Sequence, residues 1–281
     1  MLSAVGGIAV FLAATGGGVF AGEPLVIEKQ GSFFVNGKTV VSAFPSGAGT
    51  PMPGKITIDQ MYVQYQIPQV RAPRAYPVIM VHGSAHTGKT YDETPDGREG
   101  WQTYFLRRGI PVYVVDHAGR ARSGFDATPS NQARLDGSPQ RIPSFPKFTD
   151  EDAWLTFRIG SVPFIPHATT QFPVEAFSQY SAQLVPNTET SLAGAGANTV
   201  DALAALVDKI GPAIVMVHSQ SGGYGLSVAS ARPGLVKAVV SVEPRTCAVS
   251  DIRSVFTRLP LLTVFGDFIE GSPTDWAKIM A

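Results

Sequence analysis

Short apolar runs separated by polar, glycine-containing segments dominate the chain from residue 76 onward. Each run has four or five residues, nearly all of them apolar: Val78 to Val81, Val112 to Val115, Ala213 to Val217, Ala238 to Val242 and Leu261 to Phe265. Strands that are apolar on both faces are typical of a parallel sheet covered by helices. The pattern therefore predicts an α/β fold with a mostly parallel sheet flanked by helices.

The clearest helix candidate between these runs spans Asn198 to Ile210. Its apolar residues recur at helical spacing, and Asn198 is a suitable N-cap. Gly211-Pro212 follows directly and predicts the end of the helix.

The first part of the chain has a different pattern. Ile27 to Lys29, Ser32 to Val35 and Lys38 to Val41 are short strand-like runs, and Ile56 to Ile67 is a longer one. Asn36-Gly37 between two of them predicts a hairpin turn, because both turn positions tolerate positive φ. An antiparallel entrance followed by a parallel β/α core is the arrangement of the α/β-hydrolase fold.

Residues 126–197 fit neither pattern and hold eight prolines and eight aromatic residues. A long irregular segment inside a compact domain is usually a lid or binding insertion. Its aromatic side chains could line an apolar acyl or aryl pocket, or they could pack over the sheet. They are Phe145, Phe148, Trp154, Phe157, Phe164, Phe172, Phe177 and Tyr180.

Composition limits the classes of partner. The 22 basic side chains are balanced by 22 acidic ones, so the formal net charge is zero and gives no electrostatic reason to expect nucleic acid or an anionic membrane. Cys247 is the single cysteine, which excludes an intramolecular disulfide and cysteine-based zinc or redox motifs.

Residues 1–21 contain no charged side chain and end in Val19-Phe20-Ala21, with small residues where a signal peptidase reads. This segment resembles a secretory signal peptide, although it lacks a basic residue near its start. An uncleaved anchor or a buried strand is the alternative, and Gly16-Gly17-Gly18 argues against a membrane-spanning helix. We expect a secreted or periplasmic protein whose mature domain covers residues 22–281, without stable membrane insertion.

The most informative segment for chemistry runs from Ala213 to Gly225. An apolar strand enters a serine-containing turn flanked by small residues, which is the context of a nucleophile elbow. Ser219 and Ser221 are both candidates. Ser221 has the smaller neighbours two positions away, but Ser219 directly follows the strand and leaves the small residues in the first helical turn.

Attack on an ester places negative charge on the carbonyl oxygen, so a nucleophilic serine needs an oxyanion hole. One donor is expected to be the backbone N–H of Gln220, which follows Ser219. The second is expected from the loop after the first parallel strand, where Gly83 allows a sharp turn and the N–H of Ser84 can point at the site.

The carboxylate of such a site should follow the nucleophile at the end of a later strand. Glu243 ends the next apolar run, whereas Asp267 follows the last one, with Glu270 close behind. The residues alone leave Glu243 and Asp267 open.

Several motifs together resemble a small group of secreted bacterial esterases in the α/β-hydrolase superfamily, from about Ser32 to the last residue. The motifs are His218-Ser-Gln-Ser-Gly222, Thr94-Pro-Asp-Gly-Arg98, Gly100-Trp101, Tyr104-Phe-Leu-Arg-Arg-Gly109 and Asp116-x-x-Gly-Arg-x-Arg-Ser123.

The resemblance implies hydrolysis of small-molecule carboxylic esters through a serine acyl-enzyme. It implies Ser219 as the nucleophile and Glu243, rather than Asp267, as the acid. It also implies oxyanion donors at Ser84 and Gln220, with no metal or organic cofactor.

The sequence departs from this family in its histidines. The α/β-hydrolase histidine comes last in chain order, yet His82, His86, His117, His167 and His218 all precede Glu243. We therefore expect that the final strand and the histidine loop are missing, and that rescue by His82, His86 or His167 is improbable. The alternative function is a non-catalytic binding protein, or an inactive fragment, that keeps the scaffold.

Overall fold

One seven-stranded sheet organises the computed structural model, which describes residues 23–45, 51–245 and 259–269. The strands are β1 (Ile27–Pro45), β2 (Pro51–Pro68), β3 (Val78–Val81), β4 (Val112–Val115), β5 (Ala213–His218), β6 (Val236–Val242) and β7 (Leu261–Val264). The helices are α1 (Trp101–Arg107), α2 (Thr128–Leu135), α3 (Asp150–Thr156), α4 (Phe177–Gln183), α5 (Ala195–Ile210) and α6 (Gly222–Ala231). Residues 1–21, which are predicted to be a signal peptide, lie outside the described residues, as do Cys247 and Glu270.

The order of strands in the sheet is β1-β2-β4-β3-β5-β6-β7. Strands β1 and β2 pair antiparallel, β2 joins β4 antiparallel, and all other pairs are parallel. The predicted mostly parallel sheet with an antiparallel entrance is confirmed. Because β3, β5, β6 and β7 run in the same direction, the residues that follow them meet at one edge of the sheet.

The predicted hairpin turn at Asn36-Gly37 is wrong. Strand β1 runs on through these residues and pairs with β2 in one register from Lys29 opposite Ile67 to Pro45 opposite Pro51. Asn36 and Gly37 have φ of 57° and 98°, and they make a local kink inside the strand. Asn-Gly tolerates positive φ wherever the backbone needs it, so the dipeptide alone cannot distinguish a turn from a kink.

The core lies on both faces of the parallel strands. Alternate side chains of β3 and β5 point to opposite faces, so Ile79 and Val215 pack under α5 and α6, whereas Met80 and Met216 pack on the side of α1. Strands buried on both faces explain the continuous apolar runs of the sequence.

Helix α5 begins three residues before its predicted N-cap, at Ala195, and ends at Gly211 as predicted. Gly194 takes the N-cap position with φ 82°. Asn198 instead donates from Nδ2 to Oδ1 of Asp59 on β2, at 2.7 Å. A tertiary contact therefore uses the amide that the sequence pattern assigned to capping.

The insertion at residues 126–197 holds three short helices (α2, α3 and α4) and the start of α5. Six of its eight aromatic residues form one cluster with Ala85 of the loop after β3: Phe148, Trp154, Phe157, Phe172, Phe177 and Tyr180. Phe145 and Phe164 are exposed. The insertion therefore has a small core of its own, which packs on the β3 loop. Within the described part of the chain, no helix is both long and apolar enough to span a bilayer.

Candidate active site

Ser219 occupies the sharp bend between β5 and α6. Its φ is 51°, in the left-handed region that residues with a side chain rarely adopt. The strand ends at His218, one 3-10 turn covers Ser219 to Ser221, and α6 starts at Gly222. The side chain of Ser219 stays partly exposed. This is the strand–elbow–helix geometry in which a serine hydroxyl is held out of the backbone turn.

Ser221 is fully buried, and its hydroxyl has structural partners. Its Oγ accepts a hydrogen bond from the N–H of His218 at 2.9 Å and lies 3.0 Å from the carbonyl oxygen of Val81. These bonds tie the end of β3 to the elbow. The two candidate serines therefore differ in burial: Ser219 is partly exposed at the bend, and Ser221 is buried beneath it.

The loop after β3 lies directly against Ser219. A Cβ placed on Gly83 would lie 2.7 Å from Nδ1 of His218 and 2.9 Å from Cβ of Ser219, so no side chain fits there. Ser84, the next residue, therefore follows a backbone segment in close contact with the elbow. Among the described residues, the backbone N–H of Ser84 has no hydrogen-bond partner.

Asn187, in the insertion, holds this loop in place. Its Oδ1 accepts a hydrogen bond from the N–H of Ala85 at 2.7 Å, and its Nδ2 donates to Oγ of Ser84 at 2.8 Å. Ala85 has φ 61°, so the loop turns sharply at the point where Asn187 binds it.

Glu243 directly follows β6, next to the end of β5. His218 pairs with Val242 in the sheet, and the N–H of Arg245 donates to the carbonyl oxygen of Ser219 at 2.9 Å. Oε1 of Glu243 accepts hydrogen bonds from the N–H of Gly266, at 2.8 Å, and from Nη2 of Arg158. The carboxylate is thus fixed between the ends of β6 and β7.

Asp267, the other acid candidate, lies one strand farther along the same edge. It follows β7 and is exposed, and its backbone oxygen accepts a hydrogen bond from Nε of Arg158 at 3.0 Å. Arg158 therefore joins the segments that carry the two candidate acids.

Three histidines near the elbow bind structural partners through their rings: His82, His86 and His117, whose Nε2 donates to the carbonyl oxygen of His82 at 2.9 Å. His86 donates from Nδ1 to the carbonyl oxygen of Ser84 at 2.6 Å, so neutral His86 accepts from the Tyr180 hydroxyl at Nε2, 3.1 Å away. His82 binds the carbonyl oxygen of Gly83 through Nδ1 and the N–H of His117 through Nε2. Because these rings are engaged and buried, neither His82 nor His86 is available as a base for Ser219.

The remaining two histidines have different surroundings. The ring of His218 contacts Gly83 and lies edge-on to His86, with ring centroids 6.3 Å apart. His167 stacks on Phe268 with ring centroids 3.8 Å apart. Within the described ranges, no group of three or more histidine, cysteine or acidic side chains is placed to hold a metal.

Sequence reasoning missed a buried ion pair beneath the site, between Arg120 and Glu189. Both are buried, and Arg120 also binds the carbonyl oxygen of Gly83 and Oε1 of Gln220. Arg120 lies in the Asp116 to Ser123 motif, but its partner is 69 residues away along the chain. No local pattern connects the two.

Comparison with known proteins agrees with this architecture. No family model matches the chain. A solved structure described as a novel bacterial esterase is 39% identical, with a TM-score of 0.85, and the match covers 92% of this chain and 81% of that one. The chain belongs to the bacterial esterases of the α/β-hydrolase fold.

A second relative of this α/β-hydrolase is fungal. It is the probable secreted lipase phiG of a fungal species (strain ATCC 74256), 33% identical over 200 residues. The match covers 68% of this chain and 50% of the relative, so the chain spans about half the length of the curated protein it matches.

The two serines of this α/β-hydrolase should differ in their effect on stability. Ser221→Ala leaves the buried N–H of His218 without its partner, and we expect the free energy of unfolding to fall by about 1–3 kcal/mol. Ser219→Ala removes a partly exposed hydroxyl and should change it by less than about 0.5 kcal/mol. Urea unfolding of both variants measures the difference. A larger loss in Ser219→Ala than in Ser221→Ala would contradict this assignment.

Stability should also fall in mild acid. Burial lowers the pKa of His86 to about 4, with a smaller contribution from His218. Burial, with the charge of Arg158, lowers the pKa of His218 to about 4. A histidine in the unfolded chain binds a proton below about pH 6.5. Between pH 6.5 and 4 the unfolded state therefore binds more protons than the folded state, and this favours unfolding.

The free energy of unfolding should fall by up to about 1.4 kcal/mol per pH unit for each histidine as the pH is lowered. Denaturant unfolding at a series of pH values measures it. His86→Gln, which keeps an amide donor but does not titrate, should show a shallower slope. Equal stability at pH 7 and pH 5 in the native protein would refute the prediction.

Proposed function

We propose that this protein hydrolyses carboxylic esters, with Ser219 as the nucleophile that forms an acyl-enzyme. The observation that carries the proposal is the partly exposed Ser219, which has φ 51° directly after β5 and lies in close contact with Gly83 of the β3 loop. Membership of the bacterial esterase family supports the same chemistry.

In the proposed reaction, Oγ of Ser219 attacks the ester carbonyl carbon, and the carbonyl oxygen becomes an oxyanion. The backbone N–H groups of Ser84 and Gln220 are the proposed donors that stabilise this charge. Supporting this role, the Ser84 N–H is unpartnered among the described residues, and Gln220 is the second residue of the helical turn, where backbone N–H groups lack intrahelical acceptors.

Glu243 is the proposed acid of the site. Gly266 and Arg158 bind Oε1 of its carboxylate, which fixes the side chain, and the neighbouring Arg245 N–H binds Ser219 directly. A carboxylate so held orients a histidine and stabilises the imidazolium that forms when the histidine takes the serine proton. In this fold that histidine follows the last strand in chain order.

The proposed substrates are small-molecule esters with an apolar acyl or aryl group, because the aromatic-rich insertion packs on the β3 loop next to Ser84. The proposed location is outside the cytoplasm. The apolar, uncharged residues 1–21 support it, as does a curated relative named as a secreted lipase.

A fluorophosphonate probe tests the nucleophile in the natural full-length protein. We expect covalent labelling of native protein and of Ser221→Ala, and none of Ser219→Ala. Hydrolysis of p-nitrophenyl esters of graded chain length should follow the same order. Labelling that survives Ser219→Ala would reject Ser219, and absence of both labelling and hydrolysis in native protein would reject the esterase function.

The acid is tested by Glu243→Gln, with Asp267→Asn as the matched control. The amide keeps the shape of the carboxylate but cannot stabilise an imidazolium, so kcat should fall by about 10²–10⁴-fold. Asp267→Asn should retain kcat within about threefold, because Asp267 is exposed and follows β7, one strand farther from Ser219 than β6. A larger fall in kcat for Asp267→Asn than for Glu243→Gln would assign the role of the acid to Asp267.

A further inference from the structure

Arg120 lies beneath the proposed oxyanion donors and is completely buried. All five of its N–H donors are used. Nε and Nη2 bind the two carboxylate oxygens of Glu189, and Nη2 also binds Oε1 of Gln220 at 2.9 Å. Nη1 binds the carbonyl oxygens of Gly83, at 2.8 Å, and His86, at 3.3 Å. Lysine, with three donors on one atom, cannot reproduce this fork.

The contact with Gly83 matters because of peptide geometry. The carbonyl of Gly83 and the N–H of Ser84 belong to one planar trans peptide, and they point in opposite directions. A guanidinium that holds the carbonyl on one side therefore aims the N–H at the other. His82 donates to the same carbonyl oxygen from Nδ1 at 2.9 Å, so both of its lone pairs are occupied. Rotation of this peptide would leave Arg120 with an unmatched buried donor.

The second proposed donor belongs to the same network. The side chain of Gln220 accepts from Arg120 and donates from Nε2 to Oε1 of Glu189 at 3.1 Å. Gln220 is thus anchored to the same Arg120–Glu189 ion pair that holds the Gly83 carbonyl. Arg120 connects the β3 loop and the β5 elbow through one rigid group.

Glu189 keeps Arg120 in position from the insertion. Burial would raise the pKa of Glu189, but the guanidinium of Arg120 and the neighbouring imidazole of His117 lower it to about 2. The Glu189 carboxylate is therefore charged at neutral pH, where it pairs with the guanidinium of Arg120. Two residues earlier in the chain, Asn187 binds the Ser84 hydroxyl and the Ala85 N–H.

We infer that Arg120 is a positioning residue that fixes the Gly83–Ser84 peptide and Gln220, so that both oxyanion donors are aligned before substrate binds. This inference rests on the proposed function. A charge-assisted hydrogen bond on the carbonyl also polarises the peptide and strengthens its N–H as a donor. The effect is specific to the transition state, where the negative charge develops.

Arg120→Lys tests the inference, and Arg122→Lys is the matched control. Arg122 lies two residues away and is also paired with a carboxylate, Asp116, but it makes no contact with Gly83 or Gln220. Removal of one oxyanion donor costs about 10²–10³-fold in kcat, so its misalignment in Arg120→Lys should cost about 10–100-fold. KM should change by less than about threefold, because the substrate ground state carries no oxyanion.

If Arg120 had only a structural role, Arg120→Lys would lower the stability of the protein without this selective fall in kcat. Kinetics are therefore measured well below the melting temperature of each variant, together with the affinity for a boronic acid that mimics the tetrahedral intermediate. We expect boronic acid affinity to fall in parallel with kcat in Arg120→Lys and to stay unchanged in Arg122→Lys. Equal kcat in the two variants overturns the inference.

Two further measurements test the inference when the kinetic comparison cannot be made. If Arg120→Lys does not fold, a crystal structure of the native phosphonate adduct decides: its phosphoryl oxygen should contact the N–H groups of Ser84 and Gln220, and contacts to other donors overturn the inference. If native protein hydrolyses no ester, the proposed function has failed. The crystal structure of Arg120→Lys then decides alone, because an unchanged Gly83–Ser84 peptide overturns the inference and a rotated peptide supports it.

Discussion

The left-handed backbone at Ser219 is the constraint on which the site depends. A residue with a side chain adopts φ 51° at a cost of about 1–2 kcal/mol, so its surroundings must impose the conformation. Ser221 binds the backbone before the bend, and the N–H of Arg245 binds the carbonyl oxygen of Ser219 itself. The bare backbone of Gly83 fills the remaining space. The strain is thus held by three neighbouring segments of the sheet edge.

The insertion takes part in building this edge as well as covering it. Its aromatic cluster packs on Ala85, Asn187 binds the β3 loop, and Glu189 fixes Arg120 beneath it. Arg158, also from the insertion, binds Glu243 at the other end of the site. A site assembled from strand ends alone would leave these loops free to move. The insertion holds them by polar contacts that need no motion when charge develops.

Local patterns in the sequence were sufficient to predict the parallel strands and the bend after β5. The run at Val78 to Val81 and the strand that precedes Ser219 are buried on both faces, and this leaves a continuous apolar signal. The same reasoning failed at Asn36-Gly37, since positive φ serves a kink as well as a turn. It could not find the pairing of Arg120 with Glu189, because side chains 69 residues apart meet only through the tertiary fold.

The backbone of Glu243 and two neighbouring groups fix the orientation of its carboxylate. Its backbone has φ 44°, and its N–H donates to the carbonyl oxygen of Val264 at 2.7 Å, so the main chain turns the side chain toward β7. There Gly266 and Arg158 both bind Oε1, which fixes the carboxylate plane and keeps its charge compensated. One oxygen therefore binds the scaffold, and in the described part of the chain Oε2 has no hydrogen bond, which the proposed role of Glu243 requires. The β3 loop has the same arrangement: Arg120 binds the Gly83 carbonyl, and the Ser84 N–H, the proposed oxyanion donor, has no partner among the described residues.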